Sequence, residues 1–275
     1  MIFIDLHLHS TSSDGTLAPR DLVVRGKRRG LSVMSLTDHD TTEGVNEFLT
    51  ACNKLGVRGV SGVELSAEFN GVMHILGYRI NVESPLFQKH MKDLREGRDE
   101  RNIKICEKLQ KLGMSVSIEE VRAEANGDVV ARPHVARVLI KKGYVQNMWQ
   151  AFDRYLGHDA SAYVPRYRLS PEVCIDVIQK ADGVAVLAHP AQTTDDYGVL
   201  VDILKQLKSL GLWGIECLSP SHSSQQIFQY LRIAKEMDLF TTAGSDFHGT
   251  NRPSVSMGIR VKTDFLPWAR LGISL

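Results

Sequence analysis

Short apolar runs that end in His, Asp or Glu recur along the chain, separated by amphipathic stretches. "MIFIDLHLHS" (1–10), "LSVMSLTDHD" (31–40) and "VRGVSGVEL" (57–65) read as strands. Between them "PRDLVVRGKRRG" starts with Pro19 and stops at Gly30, and "TEGVNEFLTACNKLG" follows a predicted cap at Thr42 and stops at Gly56. Proline in a first turn and glycine beyond a last one are helix punctuation. The rhythm returns later. Ser170-Pro171 opens a helix closed by Gly183 and followed by "VAVLAHP" (184–190); further helices end at Gly211 and Met237, ahead of "LWGIECLS" (212–219) and "LFTTAGSDFH" (239–248). Six apolar strands alternating with helices predict a parallel α/β sheet, closed as a barrel or doubly wound.

Two interruptions break the alternation. In "ELSAEFNGVMHILGYRI" (64–80), Asn70-Gly71 separates two strand-like runs, a short hairpin signal. Residues 84–162 are then almost wholly helical in pattern, with Ser84-Pro85 as a start and Ser117-x-x-Glu120 as a capping box. The division expected is therefore barrel (1–83), helical insertion (84–162), barrel (163–275). Within the insertion, "KDLREGRDERNIK" (92–104) is dense enough in charge to read as a solvated helix face, with Arg98 or Arg101 the residues able to turn toward a cleft.

Composition narrows the classes. With 43% hydrophobic and 24% charged residues, the 275-residue chain can bury a substantial core, and its formal net charge of +1 supplies no global field for nucleic acid, so anion binding must be local. An extended basic track is missing, which favours short over long nucleic-acid ligands. Cys52, Cys106, Cys174 and Cys217 form no C-x-x-C pair and read as reduced core side chains. Asp5 and His7 come too early for a signal peptide and no apolar stretch is long enough for a membrane span, so a cytoplasmic location is expected.

The ten histidines change the picture most. His7 and His9 project from one face of the first strand, and Asp14 follows in a Ser/Gly-rich loop that can fold back over them. Alone, such a pair fits two strand histidines bonded to backbone equally well. The pattern recurs, however: His39 follows the second strand, Glu64 ends the third, His189 ends "VLAHP", and Asp246 with His248 ends "GSDFH". These are C-terminal strand ends, where α/β folds build active sites. Buried, unpaired carboxylates and imidazoles cost several kcal/mol unless something offsets them, and metal ions do. His74, at the start of the second hairpin strand beside Glu64, joins the candidates. A mixed set with a bridging Glu suits two or three divalent ions such as Mn²⁺, Fe²⁺ or Zn²⁺. In the insertion, Arg132 and His134 flank a proline at a helix start, where backbone N–H groups already favour an anion, and form a candidate phosphate grip, with Arg137 a weaker third. His222 and Ser219 have only loop placement in their favour, and His90 and His158 read as surface or packing residues.

"DLHLHSTSSDG", "LTDHD", "GVEL", "LAHP" and "GSDFH" resemble, in order and across essentially the whole chain, the motifs of the PHP (polymerase and histidinol phosphatase) family of metal-dependent phosphoesterases. The resemblance implies a distorted seven-stranded (β/α) barrel with a helical insertion and a binuclear or trinuclear site at the strand C-termini. By position, one ion would take His7, His9, Glu64 and Asp246; a second Glu64, His74 and His189; a third Asp14, His39 and His248. Asp246 and His248 are the catalytic candidates. Histidinol-phosphate phosphatases commonly carry His at the position of Asp14, and "ARPHVAR", "YVPRYRLSPE" and "VIQKADGVAVLAHP" look instead like the branch of 3′,5′-nucleoside bisphosphate phosphatases and 5′→3′ exoribonucleases. In that branch the residues matching Arg132 and His134 grip substrate phosphate.

The function expected is hydrolysis of nucleotide phosphate esters or of short 5′-phosphorylated RNA by metal-activated water, releasing inorganic phosphate or mononucleotide, with no membrane and no obligate protein partner. A histidinol-phosphate or other small-molecule phosphatase is the alternative within the enzyme class. A non-catalytic metal-binding accessory module is the alternative outside it.

Overall fold

The computed structural model describes residues 1–125 and 129–274. The strands are β1 (Ile2–Leu8), β2 (Val33–Leu36), β3 (Arg58–Ser66), β4 (His74–Tyr78), β5 (Val184–Leu187), β6 (Gly214–Leu218), β7 (Phe240–Ala243) and β8 (Ile259–Val261). They form one eight-stranded sheet in the order β7-β6-β5-β4-β3-β2-β1-β8. Parallel pairing links β1 to β2 to β3 and β5 to β6 to β7, while β4 runs antiparallel to both its neighbours. The sheet curls into a nearly closed barrel. The chain beyond β7 returns to β1, where Leu8 bridges Phe247, the Asp246 N–H donates to the His7 carbonyl (3.0 Å) and the His9 N–H to the Phe247 carbonyl (3.0 Å).

The sequence reading holds seven strands, all but one of them parallel. The sheet gains β8, three residues pairing antiparallel with the start of β1, too short to carry a periodic signal. The hairpin β3–β4 is present, but its connection spans residues 67–73 with Asn70-Gly71 in the middle, and the Ala67 N–H closes it on the Met73 carbonyl (2.9 Å).

Helices α1 (Pro19–Arg28) and α2 (Val45–Leu55) cover β1–β3 over a core including Leu22, Val23, Met34, Leu36 and Phe48. Gly56 ends α2 at φ +64, the left-handed turn that glycine tolerates. Thr42 does not cap α2, contrary to the pattern. The helix begins three residues later, and the Thr42 carbonyl accepts the Val45 N–H. The intervening chain is taken up by Asp38, His39 and Asp40, the last at φ +54, which turn into the barrel mouth.

The insertion consists of the 27-residue α3 (Pro85–Lys111), α4 (Ile118–Ala123) with its Ser117/Glu120 capping box, α5 (Arg132–Lys141), α6 (Met148–Ala151) and a single π turn at Phe152–Leu156. α3 is shared between two cores. Phe87, Met91 and Leu94 pack with the barrel, whereas Ile105, Cys106 and Leu109 pack with Val121, Val135, Leu139 and Leu156 in a separate apolar cluster. The solvated face expected over 92–104 is a misreading: Leu94, Gly97, Arg98, Arg101 and Asn102 are buried, because this face of α3 lies against the barrel mouth. Beyond the insertion, α7 (Pro171–Lys180, capped by Ser170), the short α8 (Pro190–Thr193), α9 (Tyr197–Ser209) and α10 (Ser224–Glu236) complete the outer layer. All four cysteines are buried and free.

Candidate metal centre

The barrel mouth gathers all nine of the predicted ligands. Glu64, fully buried at the end of β3, is the hub. Its Oε2 lies 3.4 Å from His7 Nε2, 3.2 Å from His9 Nε2 and 2.9 Å from His39 Nδ1. Its Oε1 lies 2.8 Å from both His74 Nδ1 and His189 Nε2. Asp246 Oδ1 is 3.5 Å from His7 Nε2 and 3.3 Å from His9 Nε2. Asp14 Oδ1 is 3.2 Å from His248 Nε2 and 3.9 Å from His39 Nε2. Among the described residues, three groups have donor atoms mutually within 4.8 Å: His7, His9, Glu64 and Asp246; His9, Asp14, His39 and His248; and His39, Glu64 and His74. His189, which the sequence pattern puts with Glu64 and His74, lies 3.2 Å from His74 across the same Glu64 oxygen.

The cluster fits divalent cations by its own chemistry. Buried atoms without a hydrogen-bond partner include His7 Nε2, both ring nitrogens of His9, Asp14 Oδ1, Glu64 Oε2 and His248 Nε2, and each belongs to a residue of one of these groups. Leaving so many polar atoms dry and unpaired is costly unless a ligand meets them. Imidazole nitrogens mixed with carboxylate oxygens are a borderline donor set. Without cations the cluster holds itself together by protons. Burial alone would depress both histidines, yet the carboxylates of Glu216, Glu64 and Asp246 raise His7 well above its ordinary value, and Asp246 with Glu64 raises His9 to about 9. Burial also works against ionising Glu64, but His39, His74 and His7 hold it well below the carboxylate range.

Local backbone geometry is bent to serve this mouth. His189 at φ +23 and Asp246 at φ +57 occupy the left-handed region without being glycine, a cost of about 1–3 kcal/mol each that the surrounding structure must overcome. Buried acids anchor the ligand loops from behind. Asp5 accepts the N–H of His7 (3.2 Å), the N–H and hydroxyl of Ser245, and the N–H of Gly258. Asp38 accepts from Ser10 and Ser13, tying down the loop that carries Asp14.

Above the cluster opens a cavity of about 220 Å³ whose wall includes Asp14, His39 and His74 below and Arg98, Arg101, Arg132, Arg166, Arg168 and Arg252 around it. Arg132 lies over the rings of Phe152 (5.6 Å) and Tyr163 (5.9 Å) and donates to the Leu156 carbonyl. Arg98 Nε (2.8 Å) and Arg166 (3.1 Å) converge on Asp40, and Arg252 pairs with Asp246. Burial first, and then the neighbouring guanidinium groups, pull Arg101 and Arg166 below the usual arginine value. Arg101 and Arg168 each retain a buried Nε without a partner.

The other candidates separate cleanly. His134 is buried at the start of α5 with its Nδ1 accepting the Ala131 N–H (2.9 Å), so any contact it makes with a ligand runs through Nε2. Arg137 bonds to Asn251 (3.1 Å) and to the Glu124 carbonyl (2.7 Å). His222 donates to the Cys217 carbonyl and Ser219 faces Ser221. His158 is exposed beside Asp159.

The PHP domain model matches residues 5–164. A Haemophilus influenzae protein named 5′-3′ exoribonuclease is 36% identical over 245 residues, 89% of each chain. The chain belongs to the PHP domain family. A Chromobacterium violaceum relative named 3′,5′-nucleoside bisphosphate phosphatase is 32% identical over 260 residues, covering 94% of this chain and 91% of the relative. Among solved structures, one described as an amidohydrolase from Chromobacterium violaceum with bound sulfate and no metal superposes with a TM-score of 0.90 at 30% identity, covering 98% of this chain and 95% of that one. In this PHP domain, sequence reasoning missed Arg166, Arg168 and Arg252 in the cleft and the buried acids Asp5, Asp38, Asp40 and Glu216 behind it. "PRYRLSP" held a visible signal, alternating arginines in an extended stretch; the buried acids had none beyond lying one or two residues from a ligand or within an apolar strand.

Proposed function

We propose that this PHP domain hydrolyses phosphate esters of nucleotides, with 3′,5′-nucleoside bisphosphates and short 5′-phosphorylated RNA as its substrates. One observation carries the choice of substrate. Five guanidinium groups (Arg98, Arg101, Arg132, Arg166 and Arg168) surround the cleft above the ligand cluster, and Asp40 pairs with two of them, Arg98 and Arg166. Such a surplus in a buried site calls for a ligand with more than one phosphate. A small monophosphate such as histidinol phosphate would leave most of it unanswered. The relatives' printed activities, exoribonuclease and bisphosphate phosphatase, agree with that reading.

His7, His9, Asp14, His39, Glu64, His74, His189, Asp246 and His248 would hold two or three ions of Mn²⁺, Fe²⁺ or Zn²⁺. Ions bound there supply Lewis-acid stabilisation of the phosphate oxygens and a nucleophile at neutral pH. The chain's own groups do the rest. Arg132 and His134 would take the phosphate and orient it for in-line attack, with about 1.5–3 kcal/mol per charged hydrogen bond. Although burial opposes it, Arg252, His7 and His248 hold Asp246 well below the carboxylate range, which keeps it ionised as a metal ligand and does not suit the leaving group's proton donor. His248 donates from Nδ1 to the Asp246 carbonyl (2.9 Å) and presents Nε2 toward Asp14. Both lie at the reacting side in this reading. Phe152 and Tyr163, which line the cleft beside Arg132, would stack a base of the substrate.

We read residues 1–83 and 163–275 as the barrel, with β1–β7 as its staves and β8 as an added edge, and 84–162 as the cap that supplies Arg132 and His134. The separate apolar cluster built within 105–162 supports that division. No helix among the described residues is long and apolar enough to cross a membrane, and we take the enzyme to act in the cytoplasm without an obligate protein partner. The test incubates metal-loaded protein with adenosine 3′,5′-bisphosphate, a short 5′-phosphorylated RNA and histidinol phosphate. Release of phosphate or mononucleotide from the first two, at a kcat/KM well above that for histidinol phosphate, is expected. The reverse order would overturn the substrate assignment, and no release from any substrate would overturn the function.

A further inference from the structure

Six of the first seven strands, or the loops directly after them, deliver a candidate metal ligand to the barrel mouth. β6 delivers none, although it lies between β5 and β7, which lead to His189 and to Asp246 and His248. Its fully buried acid is Glu216. Glu216 Oε1 lies 3.1 Å from His7 Nδ1, and Oε2 accepts the backbone N–H of His189 at 2.8 Å. The site is tightly built, since a Cβ on Gly244 would sit 2.2 Å from the His7 Cβ and 2.7 Å from Glu216 Oε1. Among the buried carboxylates behind the ligands, Glu216 differs in kind. Asp5 and Asp38 bond to backbone and serine groups, and Asp40 to Ser66 and arginines. Glu216 meets the ring of a ligand histidine.

We infer that Glu216 is a positioning residue for the metal centre, fixing His7 as the Nδ1–H tautomer and pinning the backbone of His189 in its left-handed conformation. A carboxylate has no proton to give at either oxygen, so His7 must donate from Nδ1, and Nε2, on the side of Glu64 (3.4 Å) and Asp246 (3.5 Å), is the nitrogen left to ligate a cation. The His189 N–H needs an acceptor too, because its φ of +23 has no support from regular structure. Carboxylates behind metal-bound histidines orient the ring and raise its basicity, and their loss typically costs 10–100-fold in metal affinity. The inference rests on the metal-binding reading of the cluster.

Glu216→Gln is the incisive variant because it is isosteric. The glutamine oxygen can face either His189 or His7. In the first case its NH₂ meets His7 Nδ1, which must then accept and carry its proton on Nε2, the nitrogen that faces the cluster. In the second, the NH₂ opposes the His189 N–H. The holoprotein is stripped with chelator and back-titrated with Zn²⁺ against a chromophoric competitor, and the His7 tautomer is read from ¹⁵N chemical shifts of the loaded wild type. The expected result is 10–100-fold weaker binding in Glu216→Gln with circular dichroism unchanged, an effect diminished on a His7→Ala background, and an Nδ1–H tautomer for His7 in the wild type. Wild-type affinity in Glu216→Gln, or a His7 protonated on Nε2 in the loaded wild type, would overturn the inference. The tautomer measurement stands even if the variant does not fold. Failure of the wild type to bind Zn²⁺ would refute the metal centre itself, a separate outcome.

Discussion

Asp40→Asn tests the charge logic of the cleft most directly. Asp40 is fully buried and accepts from Arg98 (2.8 Å) and Arg166 (3.1 Å) while its Oδ1 takes the Ser66 N–H (2.9 Å). Asparagine tolerates the backbone at φ +54, so the substitution changes charge and hydrogen bonding without forcing the chain. Its oxygen can keep Ser66, which turns the NH₂ toward two guanidinium groups. At an effective dielectric of about 20, a pair near 3 Å gains about 5 kcal/mol of Coulomb energy before desolvation is subtracted, and breaking such a buried pair costs about 3–5 kcal/mol. Arg98 and Arg166 hold Asp40 well below the carboxylate range although burial opposes this. Its contribution is lost only as pH falls below the unfolded-state value near 4, so neutral pH reads it in full. With an unfolding entropy of about 0.6 kcal/mol/K for a chain of this length, the melting temperature should fall by about 5–9 °C.

The same substitution should create an anion requirement. With Asp40 neutral, inorganic phosphate becomes the counter-charge available to the guanidinium groups, and a tenfold tighter site adds about 1.4 kcal/mol, or about 2 °C, of stabilisation at saturating ligand. Differential scanning fluorimetry on chelator-treated protein, with chloride at matched ionic strength as control, separates this from phosphate held by metal. A variant that melts within 1 °C of the wild type, or that gains no more from phosphate than the wild type does, would show that Asp40 is not the internal balance of an anion site.

Arg132→Ala should raise KM for adenosine 3′,5′-bisphosphate by about 10–100-fold, the loss of one charged hydrogen bond, and steady-state kinetics showing an unchanged KM would remove it from the substrate. Glu64→Gln should cut bound metal by more than one ion per chain, because its two oxygens face five histidines; elemental analysis at the wild-type stoichiometry would contradict the hub. In metal-free protein the raised His9 contributes stability that is complete below its unfolded value near 6.5 and lost as pH rises through about 9. Its melting temperature should therefore fall across that window while the metal-loaded protein stays level, and a flat metal-free profile to pH 9.5 would refute the proton-held cluster.

The ligands were legible because each stands at a break in a strong pattern. His7 within β1 and His9 just beyond it occupy places where an apolar side chain is expected, and His39, Glu64, His189 and Asp246 punctuate the ends of apolar runs. Strand period and chain order then suffice to bring them to one rim. The cleft arginines were not legible in this way. Arg98 and Arg101 lie in a helix whose charge density matches a solvated surface, and only the packing of Leu94 and Met91 on the barrel reveals which side is covered. The late start of α2 escaped detection for a related reason. Thr42 satisfies the capping pattern locally, while the competing demand, that Asp38, His39 and Asp40 turn inward, arises from partners such as Ser10, Glu64 and Arg98 that are distant in sequence.

The buried acids show where a single chain's pattern stops being informative. Glu216 in "GIECLS" breaks an apolar run as His189 does in "VLAHP", so by pattern alone it has an equal claim to be a ligand. Geometry separates them. His189 Nε2 reaches Glu64 Oε1, whereas Glu216 spends one oxygen on the His7 ring and the other on the His189 backbone. A strand-end acid therefore becomes a ligand or a brace according to whether its reach ends in the open mouth or on a residue already there. That is decided by the stagger of neighbouring strands. β6 meets β5 at Val186 opposite Gly214 and Leu187 opposite Ile215, so the residue after Ile215 faces the level at which the chain leaves β5 toward His189. Register of this kind is set by pairing across the sheet, and it explains why the centre's inner surface could be read from the sequence while its supports could not.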